Sequence, residues 1–147
     1  MPDPTAYDTD FYLWTQQQAA LLRQGEFNRV DLDVENIAEE IESMGRREKH
    51  SIRGYLFNVM LHLLKWRYQP ERRETSWELS LINGRDQLND LAKDSPSLRP
   101  LLPALVADLY PRVRRNTAGE TGLPLATFPD QCPFTVEQVL DAEYWPD

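Results

Sequence analysis

The sequence predicts an all-α fold, a single bundle of about five or six helices around one long central helix. Three observations carry that expectation. The forty residues from Asp31 to Pro70 read DLDVENIAEEIESMGRREKHSIRGYLFNVMLHLLKWRYQP, acidic first, basic in the middle and apolar in the second half, with no proline before the last position. Helix start and stop signals punctuate the rest of the chain. No stretch alternates apolar and polar residues as a half-buried strand does.

Residues 1–6 hold two prolines and are expected to form a loose tail. Asp8 or Thr9 is placed to cap a first helix, on which Phe11, Trp14, Gln18, Leu21 and Leu22 recur at helical spacing until Gly25 stops it. Residues 26–30 connect to a second helix capped by Asp33. Val34, Ile37, Ala38 and Ile41 form its apolar stripe. Glu35, Glu39, Glu40 and Glu42 gather near its N-terminus, where the helix dipole favours negative charge. Gly45 admits two readings. A tight reversal there would end the helix, yet Ile41, Glu48, Ile52, Tyr55, Val59, Leu63 and Trp66 keep one phase across it. That phase favours a single helix from about 34 to 68, bent near the glycine.

From Tyr55 to Trp66 the second helix is apolar nearly all round, the mark of a helix at the centre of a bundle. Its polar residues Asn58, His62, Lys65 and Gln69 fall on one narrow line that extends back through Ser51 and Arg47. Pro70 ends the helix. Thr75 with Glu78 reads as a capping box for a third helix, whose face is Trp77, Leu81, Gly84, Leu88 and Leu91. A mid-helix glycine costs about 1 kcal/mol relative to alanine, which a close helix crossing at Gly84 would explain. Ser95 and Pro96 read as a cap and a first-turn proline. Pro100, Pro103 and Pro111 divide the next stretch into a turn and a helix over 98–110, with Pro111 starting or bending a further piece and helix ending near Gly119 or Gly122. Residues 123–134 are a proline-containing loop. Thr135 with Gln138 makes a second capping box, and Val136, Val139 and Leu140 belong to a short last helix.

At 147 residues the chain is expected to be one domain spanning 1–147. A chain of this length buries about 68–70% of its unfolded surface, enough for a core without metal or disulfide. The single cysteine, Cys132, excludes an internal disulfide framework and suits a reduced, cytoplasmic setting. The N-terminus has neither the basic region nor the apolar run of a signal peptide, and no window approaches the eighteen apolar residues of a membrane span. A net charge of −8 opposes nucleic acid and anionic lipid. Local basic clusters at 46–49, 65–73 and 112–115 soften that exclusion.

These segments together resemble the bacterial family known as domain of unknown function 29. The residues that carry the resemblance are YDTDFYLW at 7–14, LDVENIAEEIESMGR at 32–46, HLLKWRYQP at 62–70, the helix around Trp77, DSPSLR at 94–99, ETGL at 120–123 and FPDQCPFTVEQVLDAEYWP at 128–146. The blocks cover almost the whole chain, in order. The resemblance implies an all-helical, cytoplasmic, bacterial protein with no assigned activity, and so offers no catalytic residues to carry over.

Three constellations bear on chemistry. Glu39 and Glu42 share a helix face and could hold a divalent metal together with a histidine, His62 or His50. Helical bundles that bind metal in this way use Glu-x-x-His spacing, and neither that nor His-x-x-x-His occurs here. On one straight helix residues 40 and 62 lie about 33 Å apart along the axis, so His62 meets the glutamates only through a second chain or a refolded path. A reversal at Gly45 would instead bring His50 near Glu42. The plainer reading is a dipole-matched first turn with ion pairs. The polar line Arg47, Ser51, Asn58, His62, Lys65 and Gln69 is the second candidate, either a groove that binds an anion or a partner, with His62 and Lys65 at its heart, or the one wet edge of the central helix. The third is KWRYQPERR at 65–73, which interleaves cations with aromatics as phosphate contact and base stacking require. The same composition suits a helix C-terminus with its aromatics packed inside. RVRR at 112–115 carries the same two readings.

Trp14, Trp66, Trp77 and Trp145 read as core or domain-edge anchors, with Tyr144 and Trp145 placed to staple the C-terminus to the body or to another subunit. Cys132, beside a proline and far from any basic helix start, reads as an inert thiol. No nucleophile elbow and no glycine-rich phosphate loop is present. The favoured function is a non-catalytic helical module that binds another protein or itself, a long amphipathic helix being compatible with a homodimer. No cofactor is expected. The alternatives are a metal-dependent enzyme built on Glu39, Glu42 and a histidine, and a nucleic-acid-associated protein acting through 65–73.

Overall fold

The computed structural model describes residues 3, 6–25, 27, 28 and 30–147, apart from the side chain of Phe11. The tail expected at 1–6, the connector at 26–30 and the place of Phe11 in the first stripe fall wholly or partly outside those residues. The described chain is all-α. Five α-helices succeed one another: α1 (Phe11–Gln24), α2 (Val34–Tyr68), α3 (Thr75–Asp94), α4 (Leu102–Thr121) and α5 (Val136–Leu140). Short 3-10 turns at Pro70–Arg72, Pro96–Leu101 and Leu125–Thr127 lie between them, and no strand occurs among the described residues. Contacts group the chain into two compact units, residues 1–47 and 48–147. The helix α2 supplies residues to both.

The first unit is a helical hairpin. The cap of α1 is Asp10 rather than Asp8 or Thr9: its carboxylate accepts from Leu13 N at 3.0 Å. Ala6 O already holds Thr9 N and Asp10 N in a turn, so the helix opens one residue later than the composition suggests. Gly25 ends α1 with φ 74°, a left-handed conformation that favours glycine. Trp14, Gln18 and Leu21 are buried, as is Leu32 before α2. Gln18 staples the connector, donating to Asp31 O at 3.1 Å and accepting from Asp33 N at 2.8 Å. Asp33 accepts from Asn36 Nδ2 at 2.8 Å and Trp14 Nε1 at 3.1 Å, and the hydrogen bond from Asn36 is the main reason its pKa falls below the usual carboxylate value. Tyr7 packs edge-on against Trp14, ring centroids 4.9 Å apart, and donates its hydroxyl to Glu40.

The second unit carries the core. Ile52, Leu56, Val59, Met60, Leu63 and Leu64 on α2 are almost fully buried. They meet Leu81 and Leu88 of α3, Leu102, Leu109 and Val113 of α4, and Val139 of α5 in one cluster. The apolar segment 55–66 is therefore the spine of this unit. Helical hydrogen bonding runs through Gly45 without interruption, so the reversal does not occur. At Gly84 the expected close crossing is present: a Cβ built there would lie 2.6 Å from Val59 Cγ2.

Several local expectations are corrected. Thr75 and Glu78 form no capping box, because α3 starts at Thr75 itself, behind an extended Glu74 whose side chain caps nothing. Ser95 precedes Pro96 as expected but sends its hydroxyl to Glu48 Oε2 at 2.8 Å, leaving the turn uncapped. Pro111 sits inside α4 and neither starts nor ends it, and the helix continues to Gly122, whose φ of 73° closes it. The box at Thr135 and Gln138 forms both its hydrogen bonds, at 3.1 and 2.9 Å. Tyr144 and Trp145 staple the C-terminus onto the body, with Trp145 4.8 Å from Trp66 and Tyr144 6.3 Å from Phe134. No helix of the described residues is long and apolar enough to cross a membrane.

Candidate functional site

Of the six residues on the polar line, Arg47 belongs to the first unit and the other five to the second. Arg47 Nη2 lies 3.7 Å from Glu40 Oε2. Ser51 and Asn58 are exposed on α2. His62 is half-buried, with Nδ1 2.8 Å from Asn58 O, so the neutral ring carries its proton on Nδ1 and donates it to that carbonyl. Burial lowers the His62 pKa below the ordinary 6.5; the bond to Asn58 O opposes this, Lys65 adds to it, and Glu120 opposes it. Burial thus favours the neutral ring.

Further along the same line α2, α3 and α4 enclose a cleft of about 390 Å³ lined by Lys65, Gln69, Arg72, Glu74, Trp77 and Glu120. Lys65 comes from the last turn of α2, where a cation opposes the helix dipole. Its Nζ sits 3.7 Å from Glu120 Oε1 and 4.9 Å from the centre of the Trp77 ring. Gln69 is buried, and its carboxamide makes no hydrogen bond to another described residue, so its donor and acceptor face the cleft. Two cations and two carboxylates balance each other. Such a cleft can hold a polar group by hydrogen bonds. Glu120, Arg72 and Glu74 are not legible as members of it from sequence. Glu120 stands 55 residues from Lys65 in the chain, and only the packing of α4 on α2 joins them.

The glutamates take local partners. Glu39 Oε1 lies 2.6 Å from Arg46 Nη2, and Glu42 Oε2 lies 3.8 Å from Arg46 Nη1. Both belong to the first unit and His62 to the second. With no reversal at Gly45, the path that would carry His50 back to Glu42 is absent. Among the described residues no group of three or more His, Cys, Asp and Glu side chains is gathered as a metal requires.

In the 65–73 segment the cations and aromatics engage the fold. Arg73 lies 4.9 Å from the Trp66 ring and donates Nε to Trp66 O at 2.8 Å, while the ring itself meets Trp145. Arg67 lies 5.6 Å from the Tyr68 ring, which also packs edge-on against Phe128 at 5.2 Å. These contacts occupy the rings that base stacking would need. In RVRR, Arg114 donates Nε to Phe128 O at 3.1 Å and pairs with Asp130 at 3.3 Å.

Two further features escape a reading of the sequence. Arg85 is buried at 1% exposure and donates to Val139 O and Gln138 O, both at 2.9 Å, closing the last turn of α5. Its position four residues after Leu81 and three before Leu88 is the signal that could have found it. The second feature is apolar exposure. Among the described residues, eight of the twelve exposed large apolar side chains lie in the first unit: Tyr12, Leu13 and Leu22 on α1, Phe27 and Val30 in the connector, and Val34, Ile41 and Met44 on α2. Of the stripe expected at Val34, Ile37, Ala38 and Ile41, only Ile37 is half-buried and the other three are open to solvent; the side-chain bonds of this unit run instead from Trp14 to Asp33 before α2 and from Tyr7 to Glu40.

A family model described as Domain of unknown function DUF29 matches residues 6–145. No curated protein and no solved structure matches the chain.

Proposed function

The chain belongs to the family described as Domain of unknown function DUF29, and from that premise we propose that it is a non-catalytic helical module that works by binding another protein through its N-terminal unit. The observation that supports this reading is the concentration of exposed apolar side chains in residues 12–44. A two-helix hairpin buries one face of each helix and leaves the others wet unless something covers them. Exposed apolar surface gathered in one region marks an interaction site more often than scattered single residues do. The setting proposed is the cytoplasm of a bacterium, supported by the lone cysteine and the family resemblance.

The test uses the full chain immobilised and exposed to extract, with Ile41→Glu/Met44→Glu as the variant. Both side chains are 63% exposed, so the helical circular dichroism is expected to hold while a specific captured protein is lost. Identical capture by wild type and variant overturns the reading. A second reading, binding at the polar cleft, is favoured by the buried Gln69 carboxamide that faces it. There, His62→Ala with Lys65→Ala weakens capture without loss of fold. The remaining residues of the line, Arg47, Ser51 and Asn58, belong to this reading as its outer edge.

A further inference from the structure

We infer that the cleft at the end of α2 binds a small zwitterion of the amino-acid type, its carboxylate held by Lys65 and Gln69 and its ammonium by Glu120 and Glu74. This inference rests on the reading of that cleft as a binding site and names its occupant.

Polar groups that the fold encloses and does not use are the first observation. Gln69 is 5% exposed, and among the described residues its carboxamide has no hydrogen-bond partner. No buried side-chain nitrogen or oxygen among those residues is sealed off without a partner, so this carboxamide opens onto the cleft it lines. Lys65 stands one helical turn before it. Its side chain is 13% exposed, and its ammonium has three protons to donate. Glu120 Oε1 lies 3.7 Å from Nζ, beyond hydrogen-bond distance, and among the described residues no acceptor takes any of those protons. The exposed Arg72 guanidinium is likewise without an ion pair or a hydrogen bond among the described residues.

Charge then selects the ligand. Lys65 and Arg72 face Glu74 and Glu120, two positive groups against two negative ones. A bare anion would meet two carboxylates there, and a bare cation would meet two cations. A ligand with one charge of each sign finds a complementary group for both. Spacing narrows the class. The Lys65 and Glu120 charges are 3.7 Å apart, so the groups that pair with them must also be close together, as the ammonium and carboxylate on one carbon of an α-amino acid are. The loose contact between Lys65 and Glu120 is then exchanged for charge-assisted hydrogen bonds to the ligand. Gln69 adds a donor to the carboxylate. Glu74 accepts from Ser76 through Oε1 and leaves Oε2 for the ammonium. Trp77, 7% exposed and 4.9 Å from Lys65 Nζ, closes one side. Arg72, Glu74 and Glu120 are exposed, so the ligand's own side chain projects to solvent. A volume of about 390 Å³ lies in the range of small-molecule sites.

The test is the melting temperature of the full chain with each common amino acid in turn, against acetate, ethylammonium and inorganic phosphate at the same concentration. At least one amino acid is expected to raise it by mass action, and the three controls are expected to leave it unmoved. Gln69→Leu and Glu120→Gln are expected to weaken that binding by roughly tenfold or more, as loss of a hydrogen bond to a charged group does. Ligand-free Gln69→Leu is expected to melt no lower than the wild type, because the carboxamide holds nothing in the fold. The inference is overturned if no amino acid shifts the melting, if a control shifts it as strongly, or if both variants bind unchanged. A ligand-free Gln69→Leu that melts clearly lower makes Gln69 a structural group and overturns it too. If no amino acid binds while His62→Ala with Lys65→Ala still loses a captured protein, the ligand class fails and the binding cleft stands. If capture is also unchanged, both fail.

Discussion

The two halves of α2 have similar helical periodicity and opposite fates. From Ile52 to Leu64 the apolar side chains disappear into a core built by α3, α4 and α5. From Val34 to Met44 a comparable stripe stays in solvent, with Val34 at 58% and Ile41 at 63% exposure. The local sequence separates them only in part: residues 55–66 are apolar nearly all round, whereas 34–44 carry a narrow stripe among charges, and such a stripe ordinarily predicts one covered face. The difference lies in how many elements arrive to cover each half. The second unit brings three helices, the first brings one. An amphipathic stripe therefore states that a face seeks cover, and leaves open whether the chain itself supplies it.

Leu64→Ala should cost the most, about 2–5 kcal/mol, because it opens a cavity in a fully buried site. Chemical denaturation measures it, and a loss under about 1 kcal/mol would mean that the second unit is packed loosely. Arg85→Met should cost about 1–3 kcal/mol by orphaning the Val139 and Gln138 carbonyls, with the early loss of α5 visible in hydrogen exchange. The paired glycines sharpen the contrast further. Gly84→Ala drives a methyl into Val59 and should destabilise by about 1–2 kcal/mol, overpacking outweighing the gain in helix propensity. Gly45→Ala should do the reverse and stabilise the isolated chain by roughly 1 kcal/mol, because the new methyl meets nothing there. A destabilised Gly45→Ala monomer would show that the first half of α2 is covered within its own chain. Ile41→Ala in a monomeric background should change stability by no more than about 0.5 kcal/mol.

The smallest effect is set by pH. Burial holds the folded pKa of His62 below its ordinary value of 6.5. The stability linked to the neutral ring is thus fully present above pH 6.5 and is lost as pH falls through the lowered folded value. His62→Asn should flatten the thermal stability profile in that window. An identical acid slope in the variant would place the titrating group elsewhere.

Much of the fold can be read from residue order alone. The bounds of α2, the Gly25 stop, the Gly84 crossing and the Thr135–Gln138 box all arise from rules acting within a few residues, and each is present. Thr75 and Ser95 mislead for a common reason: a residue able to cap is not bound to do so. The hydroxyl of Ser95 finds Glu48, 47 residues away, and the backbone before Thr75 is already extended. The site is less legible than the fold. His62, Lys65 and Gln69 can be placed on one line by helical spacing. Glu120 and Trp77 cannot be added, because they reach Lys65 only through helix packing. The exposure of Val34 and Ile41 is invisible for the same reason, since a stripe carries no record of what lies opposite it.

The most direct measurement is hydrogen exchange of the full chain in dilute solution. Amides 34–45 are expected to exchange markedly faster than those of 56–64, because few buried apolar contacts hold the first half of α2 in place. Protection of 34–45 as strong as that of 56–64 would contradict an account in which its own chain leaves the first half of α2 uncovered.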